Sequence, residues 1–186
     1  MSIPQSASGP IQSRDDLVRH LSKGCRPKAE WSIGTEHEKF VYGLATHKPV
    51  SYDGRPGIRQ LLEGMQRFGW QPVKEGEHII GLTQNGASLS LEPGGQFELS
   101  GAALKTIHET CAETNLHLEQ CREVASEIGV GVLGFGFAPN WTLAETPVMP
   151  KGRYKIMREY MPKVGAYGLD MMFRTCSLWV FTSAQV

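Results

Sequence analysis

Leu89-Ser-Leu-Glu-Pro-Gly-Gly-Gln-Phe-Glu-Leu99 limits the possible folds more than any other stretch of this chain. Its apolar residues Leu89, Leu91, Phe97 and Leu99 alternate with the polar Ser90, Glu92, Gln96 and Glu98 on either side of Pro93-Gly94-Gly95. A period of two makes each arm a strand with one buried face, and the Pro-Gly-Gly break turns the chain sharply between them. Just upstream, Asn85-Gly86 is the residue pair that a two-residue hairpin turn demands, which adds a strand ending near Thr83. In that hairpin Glu92 and Glu98 sit diagonally opposite each other on the polar face.

A second acidic pair lies in Thr35-Glu36-His37-Glu38-Lys39. On a strand, Glu36 and Glu38 must point the same way. Two readings stand: a solvated polar sheet face, or a gathering of four carboxylates, which requires protons or a cation. For the second reading a hard divalent ion such as magnesium, held by carboxylate oxygens, is the simplest remedy.

The remaining pattern predicts a helix capped by Ser13 and ending near Gly24, a strand over about 31–41, and a helix over about 57–68 stopped by Gly69. A long helix is expected over about 102–128, with Leu104, Ile107, Cys111, Thr114, Leu118, Cys121, Ala125 and Ile128 as its apolar seam and Gly129 as its stop. A buried strand over 129–137, a basic helix over about 152–160 ended by Pro162, and a last strand from Leu169 complete the reading. Arg174 then stands in an apolar strand and calls for an anionic partner. Without regular βαβ alternation, the fold class is α+β with a largely antiparallel sheet.

Nineteen Lys and Arg balance nineteen Asp and Glu over 186 residues, so no global field favours nucleic acid or an anionic membrane. No 18-residue apolar run is present. Residues 1–12 are polar and lack the apolar core of a secretory signal, which points to a disordered lead-in on a cytoplasmic protein. The four cysteines show no Cys-x-x-Cys spacing; Cys111 and Cys121, ten residues apart in one helix, are about 15 Å apart and cannot bond to each other. His108 with Cys111 and His117 with Cys121 have ligand-like offsets, but core packing explains them better. Gly129-x-Gly131-x-x-Gly134 imitates a dinucleotide loop, yet a helix precedes it and a strand follows, the reverse of what that loop needs. The basic stretch 151–162 offers either a solvated helix face or a cationic wall for phosphate or carboxylate groups.

Five blocks resemble the plant and proteobacterial type of glutamate–cysteine ligase: residues 33–40 (Ile-Gly-Thr-Glu-His-Glu-Lys-Phe), 82–86 (Leu-Thr-Gln-Asn-Gly), 91–100 (Leu-Glu-Pro-Gly-Gly-Gln-Phe-Glu-Leu-Ser), 160–165 (Tyr-Met-Pro-Lys-Val-Gly) and 169–176 (Leu-Asp-Met-Met-Phe-Arg-Thr-Cys). The resemblance implies a glutamine synthetase-like curved antiparallel sheet, of which this chain holds an incomplete, N-terminal portion. It also implies ATP-dependent joining of the glutamate γ-carboxyl to the cysteine amine through a γ-glutamyl phosphate. By the same resemblance Glu36, Glu38, Glu92 and Glu98 hold magnesium. Arg174 and Arg158 are the candidate catalytic residues, Arg153 and Lys39 are candidates for the ATP phosphates, and Gln84 and Asn85 for the amino-acid substrate. The partners expected are glutamate, cysteine and ATP, with homo-oligomerisation left open.

The resemblance covers 13–176, the N-terminal part of the ligase catalytic domain. From Ser177 to Val186 the chain departs from the family's Thr-Val-Gln-Val-Asn-Leu-Asp strand, and 177–186 is expected to be an atypical tail from truncation or a shifted frame. Two alternatives remain: another ATP-dependent carboxylate–amine ligase, and a non-catalytic remnant that binds metal.

Overall fold

The computed structural model describes residues 9–182, so residues 1–8 of the expected lead-in and 183–186 of the expected tail lie outside it. The fold is α+β, built on a seven-stranded antiparallel sheet. Helix α1 (Arg14–Ser22) begins at Ser13, whose side chain accepts from the Asp16 N–H while Asp16 reaches back to the Ser13 N–H. Strand β1 (Ile33–Gly43) follows, then α2 (Ile58–Met65), prolonged by a 3-10 turn to Phe68 and stopped at Gly69, where φ is 93°. Strands β2 (Gln71–Glu75), β3 (His78–Gln84), β4 (Ala87–Leu91) and β5 (Phe97–Ser100) form the meander. The β3–β4 turn is Asn85-Gly86 with positive φ at both residues, 49° and 85°, the geometry that selects this pair.

Strand order is β2-β3-β4-β5-β1, with β6 (Val130–Leu133) and β7 (Leu178–Thr182) end to end on the far edge of β1. Leu82, Leu89, Leu91, Phe97 and Leu99 pack as expected into one core with Leu61, Leu62 and Met65 of α2 and with Cys121, Val124 and Ala125 of α3 (Ile107–Ile128). The opposite sheet face carries polar groups, a small cluster of Phe40, Ala138, Trp141 and Cys176, and the exposed Trp179 and Phe181 of β7.

Four expectations are corrected. Helix α3 starts at Ile107 rather than 102, because Thr106 and Glu109 form a capping box there and Leu104 is held in two backbone hydrogen bonds with Ile33. Its buried side in the first half is Thr110 and His117, leaving Ile107 and Cys111 exposed. The segment from Leu169 is not a strand but helix α5 (Gly168–Arg174): Leu169, Met172 and Phe173 recur at three and four residues and all pack against the core. Helix α4 (Gly152–Val164) runs through Pro162, which is exposed, so the carbonyl it leaves unbonded faces water. The strand expected over 129–137 keeps only β6. Gly129 is the left-handed cap of α3 (φ 77°), and a side chain at Gly131 would collide with the Tyr42 ring, so these glycines serve packing and capping.

Candidate active site

Two cross-strand rows build the site. Glu38 of β1 lies directly opposite Glu98 of β5, and Glu98 lies opposite Ser90 of β4. In the adjoining row, Glu36 is opposite Ser100 on one side and Trp179 on the other, and Ser100 is opposite Ser88. Strand alternation puts all of these on the face away from the Leu89–Phe97–Leu99 core, because Ser88, Ser90 and Glu98 are flanked by core residues of β4 and β5 and cross-strand pairing carries that face to β1 and β7.

Glu98 is almost fully buried, 3% exposed, and accepts from the hydroxyls of Ser90 (2.6 Å) and Ser100 (3.3 Å). Glu38 accepts from the Ser177 N–H and from Ser177 Oγ, each at 2.9 Å. Burial pushes the Glu38 carboxyl above its usual range; the Ser177 hydrogen bonds oppose this, and the charges of Glu98 and Glu36 reinforce it. Among the described residues no three His, Cys, Asp or Glu side chains converge as ready metal ligands. The donor set still suits a hard cation: carboxylate oxygens on one face, one of them held unfavourably charged by burial and its neighbours.

Glu92 sits just past β4. Its N–H donates to the Gln96 carbonyl, and it lies diagonal to Glu98 around the turn. That turn is gripped from outside. Leu91 O accepts from Tyr154 Oη at 2.6 Å and from Lys151 Nζ at 2.8 Å, and the Met149 N–H donates to Pro93 O. Lys151 is 4% exposed, and burial lowers its pKa to about 8 against the attraction of Glu92, Glu98 and Glu75 and with the repulsion of Arg153. Sequence reasoning missed Lys151: in a run of basic residues nothing marks which one turns inward. Ser90, Ser100 and Ser177, which hold the carboxylates, were equally silent.

The three arginines do not form one wall. Arg153 bonds Tyr154 Oη and lies over its ring. Arg158 lies over Phe173 and lines a cavity of about 800 Å³ with Lys151, Gly152, Lys155 and His78. Arg174 finds the anionic partner it needed in Asp170, 2.6 Å away and one turn earlier in α5, and stacks over Phe137. A second cavity of about 310 Å³ opens at Glu38, between the end of β6 and the start of β7 along β1; His37, Gly134, Gly136, Cys176 and Ser177 line it.

Lys39, Gln84 and Asn85 are placed away from the carboxylates. Lys39 is 2% exposed and alternation puts it on the helix-facing side, where its ammonium donates to His37 O and burial lowers its pKa to about 8. Beneath it, His117 stacks on Phe97 and lies 3.5 Å from Cys121 Sγ, a packing arrangement. Gln84 follows Leu82 onto the same side and donates to Phe68 O. Asn85 makes the β3–β4 turn.

The chain matches the glutamate–cysteine ligase family 2 model over residues 32–181, which takes in the first residues after Cys176. It is 55% identical over 177 residues to glutamate–cysteine ligase A, chloroplastic, of Oryza sativa subsp. japonica, covering 93% of this chain and 35% of that protein. It is 58% identical over 169 residues to the chloroplastic glutamate–cysteine ligase of Nicotiana tabacum (90% and 32%) and 56% identical over 169 residues to that of Arabidopsis thaliana (90% and 32%). The chain thus spans about a third of the length of the curated relatives it matches. The relatives' chloroplastic naming overturns the expectation of a cytoplasmic protein, which rested only on the polar N-terminus. No helix among the described residues is long and apolar enough to cross a membrane. With 150 of its residues under the family model and more than half of its positions identical to these ligases, the chain belongs to glutamate–cysteine ligase family 2.

Proposed function

We propose that this chain carries the carboxylate-bearing part of an ATP-dependent ligase that joins the γ-carboxyl of L-glutamate to the amine of L-cysteine, the first step of glutathione synthesis. The reading rests above all on the opposed Glu38–Glu98 pair with Glu36 in the next row. A buried acid facing a half-buried one is costly unless the site exists to hold a cation.

In the reaction a γ-carboxylate oxygen of glutamate attacks the terminal phosphorus of ATP and ADP leaves. The cysteine nitrogen then attacks the acyl carbon of the γ-glutamyl phosphate; phosphate leaves and the amine proton is released. A magnesium ion, when bound, supplies neutralising charge for the phosphate oxygens. Glu36, Glu38 and Glu98, with Glu92 beyond the turn, are the residues that would hold it. Glu38 and Glu98 would exchange hydroxyl donors for the cation. Lys151, Lys155 and Arg158 give the larger cavity the charge to hold anionic groups. Tyr154 and Lys151 fix Leu91, and through it Glu92.

Because the chain spans a third of the family's length, binding tests this reading more directly than turnover. Calorimetric titration with magnesium should show saturable binding that tightens with ATP and weakens at least tenfold in Glu98→Gln. A titration without saturation, or one that the substitution leaves unchanged, defeats the proposal.

A further inference from the structure

Trp179 and Phe181 hold two aromatic rings, 55 and 51% exposed, on the sheet face that carries the carboxylates. Their centroids are 6.3 Å apart and their planes 16° apart, so the rings form one flat surface rather than two separate side chains. Trp179 is the direct cross-strand neighbour of Glu36, and Phe181 is that of Gly34. Gly34 brings no side chain, and among the described residues beyond its chain neighbours a Cβ there would meet only Ala102 O, at 3.8 Å. The sheet is therefore bare beside the Phe181 ring. The aromatic surface is also tied to the carboxylates: Trp179 Nε1 donates to Ser177 Oγ at 2.8 Å, and that hydroxyl donates to Glu38 Oε1 at 2.9 Å. This chain of hydrogen bonds orients the indole even though half of it faces water.

The geometry points to a nucleobase platform: Trp179 and Phe181 stack the base of the nucleoside triphosphate whose phosphates reach the cation held by Glu36, Glu38 and Glu98. The inference rests on the ligase reading above for its phosphate site. Phe181 stands opposite Gly34, four residues from Glu38, which is about 13 Å along β1. A ribose and a triphosphate tail cover that interval, so a base on the platform leaves the terminal phosphate beside Glu38 and Glu98. Glutamate and cysteine suit the surface poorly, being small, charged and without a ring. A base stacked on aromatic side chains gains roughly five- to a hundredfold in affinity, whichever base it is.

The test compares ATP with inorganic tripolyphosphate, each with magnesium, binding to the full 186-residue chain by calorimetry, with tryptophan emission read alongside. ATP should bind at least tenfold tighter than tripolyphosphate and quench the emission, which tripolyphosphate should leave alone. Trp179→Phe keeps a ring, so it should retain the preference for ATP and lose the quench. A Trp179→Leu, Phe181→Leu double variant should bring ATP down to the affinity of tripolyphosphate. Its tripolyphosphate binding, circular dichroism and melting should stay unchanged, because both side chains are already half exposed. Equal affinity of the parent for the two ligands, a preference that survives the double variant, or a self-dimer of the chain that hides the rings would overturn the proposal. Adenosine separates the two readings. If it quenches Trp179 while tripolyphosphate does not bind, the platform stands and the ligase reading falls; if tripolyphosphate binds and adenine adds nothing, the platform falls alone. No binding by any of the three ligands defeats both.

Discussion

Glu38 and Glu98 are directly opposed residues of β1 and β5, so two carboxylates share one rung of a sheet. Like charges in that position destabilise a strand pair. Here burial compounds the effect and raises the Glu38 pKa, so the folded state retains a proton that the unfolded chain has already released. With an acid shifted upward, stability falls as pH rises through the interval between the unfolded and folded values, and the penalty is complete at neutral pH. Glu38→Gln should therefore melt higher than the parent at pH 7 without divalent ions. The direction of the shift fixes the sign of the gain, and each 1 kcal/mol of it appears as about 2–4 °C in a domain of this size. Below the ordinary carboxylate range the two proteins should melt together. Calorimetric melting at pH 7 and at pH 3.5 checks both halves, and a variant less stable at pH 7 would show that Ser177 already neutralises the pair.

Ser177 holds Glu38 through its N–H and its hydroxyl, and the hydroxyl also accepts from Trp179 Nε1 at 2.8 Å. Any cation that takes Glu38 must compete with that hydroxyl for Oε1. Ser177→Ala removes one competitor and leaves the backbone donor in place. A net hydrogen bond of about 0.5–1.5 kcal/mol corresponds to roughly a two- to tenfold gain in affinity. Manganese binding followed by electron paramagnetic resonance measures it directly. Unaltered or weaker binding would mean that the hydroxyl orients Glu38 for the ion rather than blocking it.

The sheet was legible because its signals are local. Period-two alternation in 89–99 and the Asn85-Gly86 turn fixed register, and register alone put Glu92 diagonal to Glu98. What brings Glu38 opposite Glu98 is a pairing of strands some 60 residues apart in sequence, and no local pattern encodes it. Helix α5 was misread because Met171-Met-Phe is a short apolar run, which periodicity cannot divide between strand and buried helix. Arg174 made the strand look functional, whereas its i−4 partner Asp170 is itself a helical signal. Lys39 and Gln84 stand as site candidates because they lie inside the blocks 33–40 and 82–86 that carry the resemblance. Alternation, applied consistently, would have turned both toward the helices.

Lys39 sits with its ammonium almost wholly out of water, and its pKa falls from 10.5 to about 8. Between those values the unfolded chain holds the proton and the folded protein does not, so stability rises as pH climbs from 8 toward 10.5. At pH 7 the charge is a burden of up to about 3 kcal/mol. Lys39→Met keeps the stem and removes the charge, so it should raise stability at pH 7 by 1 kcal/mol or more. The difference should shrink steadily toward pH 10.5. Urea unfolding at pH 7, 9 and 10.5 provides the comparison. A destabilised variant at pH 7 would show that the bond to His37 O and the attraction of Glu98 and Glu38 outweigh desolvation.

Gly64 in the middle of α2 poses a contest between propensity and packing. Alanine is favoured over glycine in a helix by about 1 kcal/mol. A methyl group at Gly64, however, would collide with Val124 Cγ1 of α3 and lie 3.3 Å from Cγ2 and 3.4 Å from Cβ. Val124 is 1% exposed and β-branched, so it has neither space nor a free rotamer to yield. The two helices would have to separate, and overpacking of this kind costs about 1–3 kcal/mol. Packing should win: Gly64→Ala is expected to lose about 1–2 kcal/mol net, with Gly64→Ala/Val124→Ala recovering part of the loss because the second change removes the colliding methyls. Urea midpoints of the two variants against the parent decide it, and a single variant at least as stable as the parent would mean that the α2–α3 contact is looser than this close approach requires.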